Sequence, residues 1–468
     1  MSQISESDAN ATGPALFPSR ESWERVDGLI DEWHAALDAA QPPAAELGVR
    51  FRQQMEGAEA TFGGRLLCPY LRPNFLGQSH FAYVQSAIRD AMAAISVVER
   101  RAVEDPTFLH RMGLTEGETR LVKLPSCTAR FSANSRMDTF LTPDSFKFVE
   151  YNAESPAGIA YADLLQDLYL QMPLMQSFVE RHGLTRLQCR SYVLETLLEA
   201  YRAWGGSGRP HIAIVDYLDV PTRTEFDLFK AFFEAEGFPT TIADPRSLEL
   251  RDGRLVTPDG IVIDILYRRL LVNELLERID DCQALVRAVE QNAVCMVNSF
   301  RCKILHKKML FAVLWEPDMQ CHFTEAQRDV IRRHVPWTAR VADGWVEFEG
   351  RSHDLVELAR AEQHRMVLKP NDEYGGKGVV IGWECTAEEW AKALGDAMAY
   401  PHILQERVPS ARLAFPDLEN NVAPRIVDLD PFIFGDRVTG FLTRLSDTSL
   451  CNVTSGGGQV PTFLLPDA

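Results

Sequence analysis

Arg136-Met137-Asp138, followed by Glu150-Tyr151-Asn152-Ala153-Glu154-Ser155-Pro156, is the stretch whose reading decides the fold. The run Phe146-Lys147-Phe148-Val149-Glu150-Tyr151-Asn152 alternates and is rich in aromatic residues, the pattern of a strand. Residues two apart on a strand share a face, so Glu150 and Asn152 point the same way. Asp138 lies twelve residues before Glu150, a spacing at which a hairpin partner strand brings the two opposite each other. Arg136 then shares the face of Asp138. Asp138, Glu150 and Asn152 offer the carboxylate and amide oxygens that magnesium prefers, and Arg136 can reach a transferring phosphoryl group. Read alone, the same residues also fit a surface Arg136–Asp138 ion pair and a turn asparagine.

More than two hundred residues later, Met366-Val367-Leu368-Lys369-Pro370 runs into Tyr374-Gly375-Gly376-Lys377-Gly378-Val379. Lys369 closes an apolar strand and Pro370 follows at once, which sets the ammonium at a strand end beside a loop. Gly375, Gly376 and Gly378 let backbone N–H groups approach phosphate oxygens, and Lys377 adds a compact positive charge. No Ser or Thr follows the Gly-Lys pair, so this is not a Walker loop. It reads as a glycine-rich flap joining two antiparallel strands, although the loop alone equally fits a glycine hairpin with a surface lysine. Ile403-Leu404-Gln405-Glu406-Arg407-Val408 shifts that balance, because this strand can present backbone groups and Glu406 to an adenine and a ribose. Further on, Gly440-Phe441-Leu442-Thr443-Arg444 ends an apolar strand in an arginine. The block from Asn452 to Pro461, with Gly456-Gly457-Gly458, reads as a loop shaped around something.

Between these motifs, His211 to Asp216, Thr224 to Ala235 and Thr240 to Asp244 read as strand, helix and strand, a βαβ unit that builds parallel sheet. It lacks a GxGxxG, so it is not expected to bind a dinucleotide. Ile261 to Arg269 supplies another buried strand. Toward the N-terminus, apolar residues recur at helical spacing from Glu21 to Thr61 and from Ser79 to Val103, with Phe81, Val84, Ile88, Met92 and Ile95 as a core stripe. Pro69 to Pro73 reads as an extended linker. Residues 1–20 are small and polar and are expected to be disordered. The expected organisation is thus a helical region over 21–125, metal-ligand strands and the βαβ domain over 126–300, and a nucleotide-binding region over 301–468 whose C-terminal part returns to the active site.

The formal net charge of -18 argues against nucleic acid or an anionic membrane as the main partner. Nine single cysteines without a CxxC pair favour free thiols over a zinc site or a disulfide framework. The N-terminus lacks an apolar h-region and no long apolar run follows, so a cytoplasmic location is expected.

In this order the motifs resemble the circularly permuted ATP-grasp enzymes, whose best-understood relatives are the glutathionylspermidine synthetases. The resemblance runs from about residue 65 to the C-terminus. It also takes in Ile263-Asp264-Ile265-Leu266-Tyr267-Arg268-Arg269, Lys308-Met309 before Leu314-Trp315-Glu316, and Val335-Pro336-Trp337-Thr338. It implies a mixed α+β, circularly permuted ATP-grasp fold with a βαβ pre-ATP-grasp domain and a helical N-terminal segment. ATP and Mg2+ are the implied cofactors, with Asp138, Glu150 and Asn152 as metal ligands. Lys308 and Lys369 would contact phosphates, and Gln405, Glu406 and Val408 would belong to the adenine hinge. Arg136 and Arg444 would stabilise the transferring phosphoryl group and the charged intermediate, and Ser155 would hold the acceptor carboxylate. The implied activity is carboxylate–amine ligation through an acyl phosphate, releasing ADP and phosphate, with small amino acids, peptides or polyamines as substrates. The alternatives are a phosphotransferase that stops at phosphorylation and a non-catalytic nucleotide-binding protein. The oligomeric state is left open.

Overall fold

A computed structural model of the chain describes residues 16–105, 107–451 and 457–467. The strand Asn134–Thr142 pairs antiparallel with Ser145–Asn152, setting Asp138 opposite Glu150 and Arg136 opposite Asn152. The register shifts between Asp138 and Thr139, whose partner is Phe148, so Val149 is an extra, bulged residue. That bulge decides which way the hairpin faces. Without it, Phe146, Phe148, Glu150 and Asn152 would all share one side. With it, Phe146 and Phe148 enter the main hydrophobic core and Tyr151 and Ala153 continue that core face. Glu150 and Asn152 are turned to the opposite side, because one residue's slip inverts every side chain beyond it.

The hairpin belongs to a six-stranded sheet. Val422–Phe434 pairs with Asn134–Thr142 through Phe432 to Phe434, and with Arg437–Ser446 on its other edge. Gly458–Val460 follows beside Arg437–Ser446, and Ala411–Pro416 pairs with the start of Val422–Phe434. Strands from both sides of residue 300 therefore share one sheet. The Asn452 to Gly456 part of the C-terminal block lies outside the described residues.

A second sheet is fully parallel, in the order Cys295–Val297, Ile265–Arg268, Ile212–Val215, Thr240–Ala243. All four residues of Ile212–Val215 are buried, as expected of a strand covered on both faces. The helix Arg223–Ala235 connects the last two strands in space and packs Phe226, Phe229 and Phe233 toward Ile212 and Ile214. The strand expected over Ile261 to Arg269 is shorter, Ile265–Arg268.

Asn298 ties this sheet to the hairpin. Its Oδ1 accepts from the N–H groups of Ala133 (2.7 Å) and Asn134 (3.1 Å), while its Nδ2 donates to the carbonyls of Asn134 (2.7 Å), Ala153 (3.2 Å) and Glu154 (2.9 Å). Asn298→Ala leaves several buried backbone groups short of a partner at about 1–3 kcal/mol each, so urea denaturation should show a loss of at least about 3 kcal/mol.

The third sheet is antiparallel, in the order Thr338–Arg340, His402–Glu406, Met366–Pro370, Val380–Ile381. The glycine flap joins its last two members. The strand expected over Val379 to Trp383 is confined to Val380–Ile381 and passes into a short 3-10 turn, Gly382–Glu384. A further small sheet sets Asn74–Gly77 parallel to Thr462–Leu465, with Thr185–Arg186 beyond.

The N-terminal helical region also differs from expectation. The single stretch read over Glu21 to Thr61 is two helices, Arg20–Asp38 and Ala44–Gly57, separated at Pro42-Pro43, since proline removes a helical donor and clashes with the preceding turn. Order begins before residue 20: Ser19 caps the first helix by accepting from the Ser22 N–H, and the Phe17 ring meets Tyr83 edge-on at 4.9 Å. Residues 1–15 lie outside the described residues. The helix Gln78–Glu104 buries the stripe from Phe81 to Ile95 in the same core as Phe146 and Phe148. Among the described residues no helix is long and apolar enough to cross a membrane.

Candidate active site

Residues from both antiparallel sheets line one cavity of about 250 Å³. The hairpin sheet contributes Arg136, Asp138, Glu150, Asn152, Asp428 and Arg444. The flap sheet contributes Lys369, Gln405 and Glu406, with Val408 just beyond. Lys308 enters from the start of the helix Met309–Trp315, and Gly375 and Gly376 enter from the flap. Three of the expected site residues lie elsewhere. Lys377 is largely exposed and pairs with Glu373 at 3.2 Å. Gly378 has φ +72° and sits against Pro370, where an added Cβ would come within 2.7 Å of the ring, so it shapes the flap. Ser155 lines an adjoining cavity of about 310 Å³, which shares Arg136, Asn152, Gly375 and Arg444 with the first.

Asp138 is the centre of the charge network. It accepts from Arg136 Nε (2.8 Å), Asn152 Nδ2 (2.8 Å) and Arg444 Nη2 (2.7 Å). This is not a surface pair, since Arg136 and Asp138 are 8% and 6% exposed. Burial pushes the Asp138 carboxyl up, but the Arg136 and Arg444 guanidiniums outweigh it and hold the group well below the usual carboxylate range. Arg444 also pairs with Asp428 (2.7 Å) and Asp430 (2.9 Å). Burial pushes Asp428 up to about 6 in spite of Arg444, and pushes Asp430 up as well. Three carboxyl groups thus face two guanidiniums, and the raised Asp428 and Asp430 let the strand Val422–Phe434 hold a proton in place of surplus negative charge.

A second set of contacts joins the two sheets. Lys308 pairs with Glu150 at 3.0 Å. Burial raises the Glu150 carboxyl, yet Lys308 and Lys369 together bring it below its ordinary value. Lys369 Nζ donates to the carbonyl of the bulged Val149 (3.1 Å) and to Gln405 Oε1 (2.7 Å). Burial lowers the Lys369 ammonium to about 8. At the far end, Glu406 pairs with Arg365 at 2.9 Å, and the Arg407 guanidinium lies 4.2 Å from the Trp383 ring centre. Val149, Val367, Ile381 and Ile426 supply apolar walls there.

Asp138, Glu150 and Asn152 bring hard oxygen donors together on one face, with both carboxyls ionised at neutral pH. Magnesium commonly takes one or two carboxylates and completes its octahedron with phosphate oxygens and water, so these donor types suit it, although both Asp138 oxygens here accept from guanidinium and amide N–H groups and Glu150 is paired with Lys308. Asp428 and Asp430 were not singled out from the sequence. Their signal was two carboxylates on the same face of an otherwise apolar run from Ile426 to Phe434, a burial that needs a charged partner.

No family model matches the chain. Among curated proteins it is similar to "Putative glutamate--cysteine ligase 2-2" of Frankia casuarinae, with 24% identity over 334 residues that make up 68% of this chain and 36% of that protein. "Putative glutamate--cysteine ligase 2-3" of Frankia alni is 25% identical over 68% of this chain and 36% of its own length. The chain therefore spans about a third of the length of these two relatives. An uncharacterized protein of Mycobacterium tuberculosis is 23% identical over 409 residues, 81% of this chain and 66% of that protein. Among solved structures, a glutathione synthetase-like effector from Globodera pallida in its apo form superposes with a TM-score of 0.59 at 16% identity, over 90% of this chain and 96% of that one. That likeness concerns the fold, a mixed α/β architecture with several sheets.

Proposed function

We propose that the chain is an ATP-dependent carboxylate–amine ligase with a circularly permuted ATP-grasp architecture, acting on small amino acids, peptides or polyamines through an acyl phosphate. One observation carries this reading: Lys308, Lys369, Arg136 and Arg444 converge with Asp138 and Glu150 in a single cavity beside a glycine-rich flap. Cations and hard oxygen ligands in one place suit a metal-bound polyphosphate better than either class of ligand alone. The names of the two Frankia relatives support amide ligation and amino-acid substrates.

In this reading Lys308 and Lys369 neutralise phosphate oxygens, and the Gln405 to Val408 segment holds the adenine and ribose. Asp138, Glu150 and Asn152 would hold Mg2+, which when bound neutralises charge on the phosphates. The substrate carboxylate occupies the adjoining cavity. There the Ser155 hydroxyl is buried without a hydrogen-bond partner among the described residues, and it can donate to that carboxylate. A carboxylate oxygen attacks the γ-phosphorus as the bond to ADP breaks. The amine then adds to the acyl carbon, loses a proton, and expels phosphate. Arg136 and Arg444 stand on the wall that both cavities share, where negative charge develops in each step.

The test is ADP release across pairs of amino acids, small peptides and polyamines, with and without hydroxylamine. Acid-dependent ADP release with a hydroxamate product is expected. Release without hydroxamate would point to a phosphotransferase, and nucleotide binding without turnover over the whole panel would remove the enzyme reading.

The Lys369 value of about 8 sets a pH dependence. The group is an ammonium below that pH and a neutral amine above it. The kcat/KM for ATP reports the free protein, so the Lys369 contribution to it should be level below pH 8 and fall about tenfold per unit above it. A profile that stays flat to pH 9.5 would remove Lys369 from the phosphate site.

A further inference from the structure

Beside the flap, outside the cavity assigned to the reaction, six charged side chains form a buried cluster. Lys303 Nζ lies 2.6 Å from Asp372 Oδ1 and 2.9 Å from Glu154 Oε1. Lys307 Nζ lies 2.8 Å from Asp372 Oδ2 and 2.8 Å from Glu118 Oε1. Arg268 closes the set on Glu154 at 3.2 Å. Three cations meet three carboxylates, and burial keeps the neighbouring His306 neutral by lowering it to about 4. Burial also works against the Asp372 carboxylate, but Lys303 and Lys307 hold it well below its ordinary range.

Asp372 is the one member of the cluster that the flap itself carries. The residues around it are fixed as well. Asn371 Oδ1 accepts from the Met309 N–H (2.8 Å), its carbonyl accepts from the Lys308 N–H (3.0 Å), and Lys308 Nζ donates to the Glu373 carbonyl. Past Glu373 the flap turns outward, and Tyr374, Gly375, Lys377 and Gly378 are exposed. Glu154, at the other end of the cluster, adjoins Ser155 in the second cavity. A balanced buried cluster of this kind is weak evidence for stability, since apolar residues would serve as well, but it fixes geometry.

The geometry points to Asp372 as a positioning residue: through Lys303 and Lys307 it seats the root of the flap and the adjacent Lys308 at the phosphate cavity, and the same charges brace the loop that carries Ser155. This goes beyond the ligase reading, and rests on it only where the flap is taken to close over a nucleotide.

The full-length chain, Asp372→Asn and Lys307→Gln can be compared by two readouts: binding of Mg2+ with a fluorescent ATP analogue, and trypsin cleavage after the exposed Lys377. Each variant should weaken nucleotide affinity by about tenfold or more, as misplacing a flap and a lysine does. Each should also quicken Lys377 cleavage by roughly threefold without nucleotide, because the flap root opens locally. Asp372→Glu, which keeps the charge, should restore much of both. A lowered Tm with unchanged affinity and unchanged Lys377 cleavage would show a merely structural cluster and overturn the proposal. If the unsubstituted chain binds no nucleotide, the ATP reading falls, and the cleavage ratio alone decides: faster cleavage supports the seating role, equal cleavage overturns it. Should Asp372→Asn fail to fold, Lys307→Gln carries the same comparison.

Discussion

Arg444→Met should destabilise the protein by about 3–5 kcal/mol, because breaking a buried ion pair strands its partners as unpaired charges. Arg444 is the shared partner of Asp138, Asp428 and Asp430, with contacts of 2.7, 2.7 and 2.9 Å. Asp138 keeps Arg136 after the substitution, whereas Asp428 loses the cation it pairs with. Asp428 already sits near 6 with Arg444 in place, so its removal drives the group higher. The direction of the pH effect follows. A carboxyl whose folded pKa lies above its unfolded value takes up a proton on folding, which favours the folded state at low pH and ceases to do so as pH rises through the folded pKa. The deficit of the variant, read from urea midpoints against the unsubstituted protein, should therefore be smaller at pH 5 than at pH 7.5. An equal deficit at both values would mean that the carboxylates are not what Arg444 compensates.

Lys369→Ala is expected to cost about 2–4 kcal/mol of transition-state stabilisation, roughly 30- to 1,000-fold in kcat/KM, the loss that follows removal of one preorganised donor. The fold should survive, because the side chain leaves behind the Val149 carbonyl and Gln405 Oε1, both lining the cavity, while Glu150 keeps its Lys308 partner at 3.0 Å. Lys369→Arg should not rescue it: the planar guanidinium is larger and cannot replace a point charge seated between two sheets. Unchanged ATP turnover with the true substrates would sink the assignment.

The hairpin and its opposed Asp138–Glu150 pair were legible because strand period and residue spacing are local properties. The βαβ unit was legible for the same reason, its apolar runs being separated by an amphipathic helix. The bulge at Val149 was not. Regular alternation would have placed Glu150 on the face of Phe146 and Phe148, and only packing against the long helix Gln78–Glu104 shows where the phase changes. Asp428 and Asp430 in an apolar strand call for a cation, but which one is not legible in the sequence, because Arg444 becomes that partner only through register. The break at Pro42-Pro43 was visible in the sequence, and the helical period on both sides masked it. The pairing of Asn74–Gly77 with Thr462–Leu465 left no local sign at all.

The six-stranded sheet also constrains how the molecule reaches its native state. Asp138 and Arg444 are 306 residues apart, and Thr139 and Asp430 are 291 apart. Closing loops of that length costs chain entropy before any strand pairing repays it, although the cost grows only logarithmically with length. Topologies dominated by such remote pairings fold slowly, and chains of this size pass through intermediates. The parallel sheet, whose strands are close in sequence, can assemble on its own during synthesis. The central strands Val422–Phe434 and Arg437–Ser446 leave the ribosome long after the hairpin they flank. Until then the hairpin's Asn134–Thr142 edge is an open template for aberrant strand addition, with the charged Arg136 and Asp138 as built-in deterrents.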